Sequence, residues 1–306
     1  MTQEDLPPGV VSTPPPRSST SGRGRRWVWL GVVPFFLYTF AFLLYPAISI
    51  LLGAFQDESG HVTTKLVSSL FEHGSLEAYW TSIKLSVVTA LLGGLFGLLI
   101  AHAAIAGRLP RWVRTTLTTF SGVAANFAGV PLAFAFIATI GFTGIITKFL
   151  QDSLGFDLYG TGFKLYSFWG LVIVYLYFQI PLMVLVIAPA IDGLRREWRE
   201  AAENLGANTS QYWRHVALPV LMPSLLGAGI LLFGSAFGAY ATAYALTSGH
   251  IGLVPLKIGE LINGNVLSDP HQAYALAFGM VIVISVAMVI YYLLDRRASR
   301  WRRAAQ

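Results

Sequence analysis

Six long apolar runs divide the chain, at approximately 27–55, 85–106, 117–140, 166–191, 218–246 and 273–294. At 1.5 Å per residue each is long enough to cross about 30 Å of hydrocarbon as a helix. The pattern predicts an all-α integral membrane protein with six transmembrane helices. Asn126 and Pro131 interrupt the third run, and Gln179 and Pro181 the fourth. The one sizeable charged segment among the runs is 194–219, which holds Arg195, Arg196, Glu197, Arg199, Glu200, Glu203 and Arg214. A charge at the bilayer centre costs roughly 2.5–3.5 kcal/mol, so this stretch stays in water while its neighbours sit in lipid.

Inside that segment Leu194, Trp198, Ala201 and Leu205 fall on one helical face. Gly206 is placed to stop this helix. Asn208, Thr209 and Ser210 all suit an N-cap, so a second short helix is expected to carry Tyr212, Trp213 and Val216 toward the membrane. Pro219 then suits the first turn of the fifth span. The product is a helix–turn–helix joined at both ends to spans. A helix that lies on anionic lipid presents a basic polar face. Here Glu197, Glu200 and Glu203 put acid on it, which favours a protein partner.

Composition agrees with the pattern. Only 12% of the 306 residues are charged, against about 25% in soluble domains. One membrane domain, 27–294, absorbs the length. Cysteine is absent, which excludes disulfides and thiolate metal sites. Residues 1–26 are rich in Pro, Ser, Thr and Arg and read as a disordered tail. The run that follows exceeds the 7–15-residue core of a signal peptide, so a retained first span is expected.

Charge position sets the expected orientation. All sixteen arginines lie in the N-terminal tail, the 107–116 loop, the 192–217 loop or the tail 295–306; the five lysines lie at or near the other side. The positive-inside rule then places both termini in the cytoplasm, with the basic C-terminal tail at anionic lipid. The outer loops are short and hold no further domain, so a substrate from outside needs another protein to deliver it.

No G-x-x-x-x-G-K-[ST] phosphate loop occurs. The six histidines, His61, His73, His102, His215, His250 and His271, show no metal-ligand spacing, and His102 reads as interfacial. No catalytic constellation is present. In the fifth run Gly227, Gly229, Gly234 and Gly238 read as close helix packing. Polar groups at membrane depth tend to face a cavity or the bundle interior, which makes Asn126, Gln179, Ser235, Tyr240, Thr242 and Tyr244 candidates for a translocation path. The tyrosines equally suit an interfacial belt. A secondary transporter or channel would call for coupling acids or broken helices within the spans, and the six runs contain no Asp or Glu.

Glu200-Ala201-Ala202, three residues, Gly206, nine residues, then Val216-Ala217-Leu218-Pro219 resembles the EAA loop of inner-membrane permease subunits of bacterial ABC importers. The one departure is Val216, where that pattern has isoleucine. The resemblance covers roughly residues 80–294. It implies a type I ABC importer transmembrane domain (MetI-like) in the bacterial plasma membrane, with 194–219 as its coupling loop. In such a loop Glu200 and Ala201 would lie in a cleft of a cytoplasmic ATPase subunit, Ala202 completing the EAA triplet. Gly206 would permit close backbone approach, and Trp213 would anchor the loop ahead of Val216, Leu218 and Pro219. The implied partners are an ATPase dimer that binds ATP and Mg, a second permease chain (homologous or identical) and an extracytoplasmic solute-binding protein. The chain itself would be a non-enzymatic subunit with no cofactor. The run 161–194 resembles the spermidine/putrescine branch, whose relatives carry aminoethylphosphonate, ferric iron or thiamine.

Overall fold

The computed structural model describes residues 32–56, 61, 63, 68–106, 110–263 and 270–303, and its regular structure is helical. The expected tail 1–26 and Arg108 lie outside the described residues. Among the described residues six stretches are long and apolar enough to cross a membrane: Val32–Gly53, His73–Ile105, Val130–Leu154, Phe168–Asp192, Thr209–Phe237 and His271–Arg297. The chain divides into two compact units, Met1–Ser49 and Ile50–Gln306. The first unit contributes most of helix α1 (Val32–Gly53), whose apolar side chains are almost all exposed.

In the second unit the order is α2 (His73–Ala106), α3 (Arg111–Asn126), α4 (Val130–Ile140), α5 (Ile145–Leu154), α6 (Phe168–Asp192), α7 (Arg196–Asn204), α8 (Thr209–Phe237), α9 (Ala241–Thr247), α10 (Val254–Asn263) and α11 (Pro270–Arg303). Helix α6 is the centre. It is apolar on every side, and Leu171, Val174, Tyr175, Phe178, Met183 and Ile187 are buried along it. Ser167 caps it, its hydroxyl accepting from the Gly170 amide.

Helix α2 lies against α6 through Gly93 and Gly97. A Cβ at Gly93 would stand 2.7 Å from Cβ of Gln179, and one at Gly97 would stand 2.5 Å from Cβ of Met183. Only glycine permits that approach, and the pair has the spacing of small-residue helix contacts in membranes. In the fifth run, where close packing is expected, a Cβ at Gly227 would stand 3.6 Å from the Tyr291 hydroxyl, an ordinary contact. Gly229 and Gly234 of α8 have nothing within 4 Å of a built Cβ, so they are not the contact points.

The apolar run 117–140 is divided between α3 and α4. Pro131 supplies no N–H for the Phe127 carbonyl one turn earlier, and Gly129 takes φ +79°, a conformation that side chains with a Cβ resist. The run 218–246 is likewise divided, at 238–240, between α8 and α9. The two breaks meet: the Gly129 amide donates to Oγ1 of Thr242 at 2.7 Å. The Tyr175 hydroxyl donates to the Ala239 carbonyl at 3.0 Å, fixing the second break to α6.

Candidate functional site: the loop between α6 and α8

The charged segment folds as a helix, a tight turn and a second helix. Arg195, extended, precedes α7, and Glu197 sits in its first turn, where the helix dipole favours an acid. Arg199 bonds Glu203 at 2.9 Å on the exposed side. At the other end the Gly206 amide donates to the Glu203 carbonyl (2.9 Å) and the Ala207 amide to the Ala202 carbonyl (3.0 Å). Gly206 itself has φ +81°. This is a Schellman stop, which satisfies the orphan carbonyls and reverses the chain.

Two residues later Asn208 and Gln211 cap each other's backbone, both bonds at 2.8 Å, and α8 begins. The sequence suggests a separate short helix here. The structure instead runs one helix from Thr209 to Phe237, through a π turn over Trp213–Ala217 in which the Leu218 amide reaches back to the Trp213 carbonyl. The wide turn immediately precedes Pro219, whose ring disfavours the ordinary α turn. The loop is therefore continuous with a membrane helix.

One side of this device is seated in the fold. Trp213 packs edge-on against His102 of α2, with ring centroids 4.4 Å apart, and joins the buried cluster around Ile187 and Leu221. Leu194 joins the same cluster, and Tyr212 is buried. Arg114 of α3 pairs with Asp192 at the end of α6, fixing the neighbouring helix ends together. Val216 is half-buried, whereas Leu218 and Pro219 are exposed.

The other side is open. Glu200 and Ala201 are exposed, Ala202 is half-buried, and Leu205 is 88% exposed. A groove of about 410 Å³ runs between α7 and α8, lined by Ala202, Leu205, Gly206, Ala207, Gln211, Tyr212, His215 and Val216. A built Cβ on Gly206 meets nothing within 4 Å. Only its backbone conformation demands glycine in the isolated chain, and the space in front of it is free for another surface.

The polar residues at depth separate into groups. Gln179 is fully buried between α2, α6 and α8, where its Nε2 donates to Oγ1 of Thr89 (3.1 Å) and to the Leu232 carbonyl (3.3 Å). It lines no open space in this state. Thr242 is also buried, occupied by the Gly129 bond. Tyr240 stacks on Tyr244 with centroids 5.4 Å apart and lies against Gly259. Tyr244 is half-exposed, and Ser235 and Asn126 are exposed. The structure thus brings Thr242, Tyr240 and Tyr244 to the break joint, with Asn126 at the end of α3 nearby in sequence. Sequence reasoning passed over Thr115 and Thr119 of α3, which share the exposed side of that helix with Asn126. A wheel drawn on 111–126 would have shown them.

Among the described residues no group of three or more His, Cys, Asp or Glu is placed to hold a metal ion.

Residues 93–300 match the family of binding-protein-dependent transport system inner membrane components, and the chain belongs to that family. A probable sulfate transport system permease from Nephroselmis olivacea is 26% identical over 253 residues, 81% of this chain and 85% of that protein. The spermidine/putrescine permease PotB of Haemophilus influenzae is 23% identical over 287 residues, 87% and 93% of the two chains. A solved bacterial alginate ABC transporter, in complex with an alginate-pentasaccharide-bound periplasmic protein, superposes with a TM-score of 0.68 at 16% identity over 91% of this chain and 96% of that one. The chain is an ABC importer permease, a multi-pass bacterial inner-membrane protein.

Proposed function

We propose that this chain forms half of the membrane path of an ATP-driven importer and that 194–219 is the loop through which a separate ATPase drives it. The carrying observation is mechanical. The loop offers an open apolar groove and an exposed Leu205 on one side. On the other it is clamped by Trp213 and is continuous with α8. Movement of a docked partner is thereby passed to a span as rigid-body motion. Both termini and the loop lie in the cytoplasm, following the arginine distribution. ATP and Mg are held by the ATPase dimer, with no cofactor in this chain. A second permease chain completes the path, and an extracytoplasmic binding protein delivers the solute.

Reconstitution with its ATPase tests this reading. Leu205→Asp changes a side chain that projects into solvent, and Gly206→Asp puts a charge at the turn. Both are expected to abolish ATPase co-purification and ATP-driven uptake. Uptake retained in both variants overturns the coupling role.

For the cargo we favour a polyamine of the spermidine/putrescine kind. The stacked Tyr240–Tyr244 pair, half-exposed at the joint, suits a cation over its rings. Sulfate is the second reading, because the sulfate permease is as similar to this chain as PotB is. Uptake of labelled spermidine and labelled sulfate, with the cognate binding protein, decides between them: spermidine accumulation supports the first, and sulfate accumulation alone overturns it.

A further inference from the structure

Helix α3 has three faces, and one of them lacks an assigned neighbour. Ser121 and Ala124 are buried and Leu117 packs into the cluster around Ile187, so this side faces α6. Trp112, Phe120 and Val123, with Thr116 among them, are exposed and mainly apolar, as a lipid-facing side requires. Between these sides Thr115, Thr119 and Asn126 fall within about 40° of one another at 100° per residue, and all three are exposed. Gly122 shares this face, with nothing within 4 Å of a built Cβ.

The face lies at membrane depth. Arg114 pairs with Asp192 at one end of α6, and Phe127 meets the Tyr177 ring at 6.1 Å, so α3 runs antiparallel along the span. A second observation points to water at its deep end. The helix stops inside the membrane at 127–129, and non-helical backbone at that depth persists only where it is buried in protein or lines an aqueous cavity. Asn126 and the exposed Phe127 and Ala128 stand at that break, and the Asn126 amide spends one N–H on the Gly122 carbonyl at 2.8 Å, leaving its oxygen to others.

We propose that α3 turns Thr115, Thr119 and Asn126 onto the water-filled translocation path, and that the cargo crosses this half of the membrane as a small hydrophilic solute held by neutral hydroxyl and amide hydrogen bonds. The proposal rests on the permease reading above. It adds a lining that neither the motif nor the family assigns, and it separates the recognition of charge from this stretch. Arg114, the one charged side chain described on α3, is committed to Asp192.

The chain contains no cysteine, so single replacements give unique labels. Thr119→Cys, Asn126→Cys, Phe120→Cys and Val123→Cys are made in the assembled transporter and treated with a charged, membrane-impermeant methanethiosulfonate in inside-out vesicles loaded with the binding protein and solute, where import is read as ATP-driven release of solute from the lumen and is the uptake scored here. Labelling of Cys at 119 and 126 with loss of uptake, and none at 120 and 123, is the expected result. No labelling at 119 and 126 while uptake persists shows that the face packs against protein, and overturns the proposal. Labelling of all four positions alike removes the lipid face and overturns it as well. Uptake is measured in the same vesicles before labelling. Its absence in the cysteine-free parent counts against the importer reading, while the labelling pattern still judges the face.

Discussion

Gly206 and Gln179 show how differently a motif residue and a buried residue are constrained. Gly206 is required twice: for φ +81° within the chain, and for the open surface in front of it. A left-handed residue other than glycine costs roughly 1–2 kcal/mol, so Gly206→Ala is expected to loosen the turn by about that amount. Gly206→Asn is expected to recover part of it, read as thermal stability of the purified complex. Gln179 has no exposed atom, and its Oε1 lacks a hydrogen-bond partner. Gln179→Leu gives up two bonds but relieves that orphan, so a change of under about 2 kcal/mol is expected. Gln179→Glu places a charge in the same space and is expected to cost several kcal/mol, visible as lost yield or a lower melting temperature in detergent. The turn residues were legible in the sequence because Gly206, Asn208 and Gln211 act on their own neighbours. The burial of Gln179 was not, because its partners Thr89 and Leu232 lie on other helices.

At the level of elements, apolar length gave the number of spans, and Asn126 and Pro131 marked the interruption of the third run, whereas the interruption of the fifth was missed. The run 218–246 read as a single helix. The break at Gly129 is held by Thr242, 113 residues away, and no local pattern announces such a partner. Thr242→Val keeps the shape and removes the acceptor. Leaving the Gly129 amide unpaired costs about 1–3 kcal/mol, and hydrogen exchange at the Gly129 and Val130 amides is expected to rise. Close packing was legible only in part, since Gly227 meets Tyr291 while Gly229 and Gly234 stand in open space. Four glycines in one run suggested a contact surface, but a glycine shows nothing of what it touches. Gly97→Val is expected to separate α2 from α6 and to lower stability by at least about 1–3 kcal/mol. Gly229→Ala, in open space, is expected to be neutral or to stabilise by up to about 1 kcal/mol through helix propensity. Thermal unfolding of the two variants side by side checks both.

For the whole molecule, the structure describes a linkage between an open surface and a packed bundle. Leu205 and the groove beside it are unfilled, while Trp213, seven residues from Gly206, is wedged against α2. In the proposed reading a partner that grips the first moves the second, and α8 carries the motion to the joint where both broken helices meet. Spacing alone made the loop legible, since its chemistry is local and its fixed positions sit in one stretch. The path was legible only in part, because which way a helix faces is decided by the other helices. The most direct measurement places a single cysteine at Leu205 in this cysteine-free chain, attaches a benzophenone and irradiates the working transporter. The account predicts capture of the ATPase subunit, with loss of ATP-driven uptake in proportion to the cross-link. Capture of lipid alone, with the ATPase bound and uptake unimpaired, would contradict it.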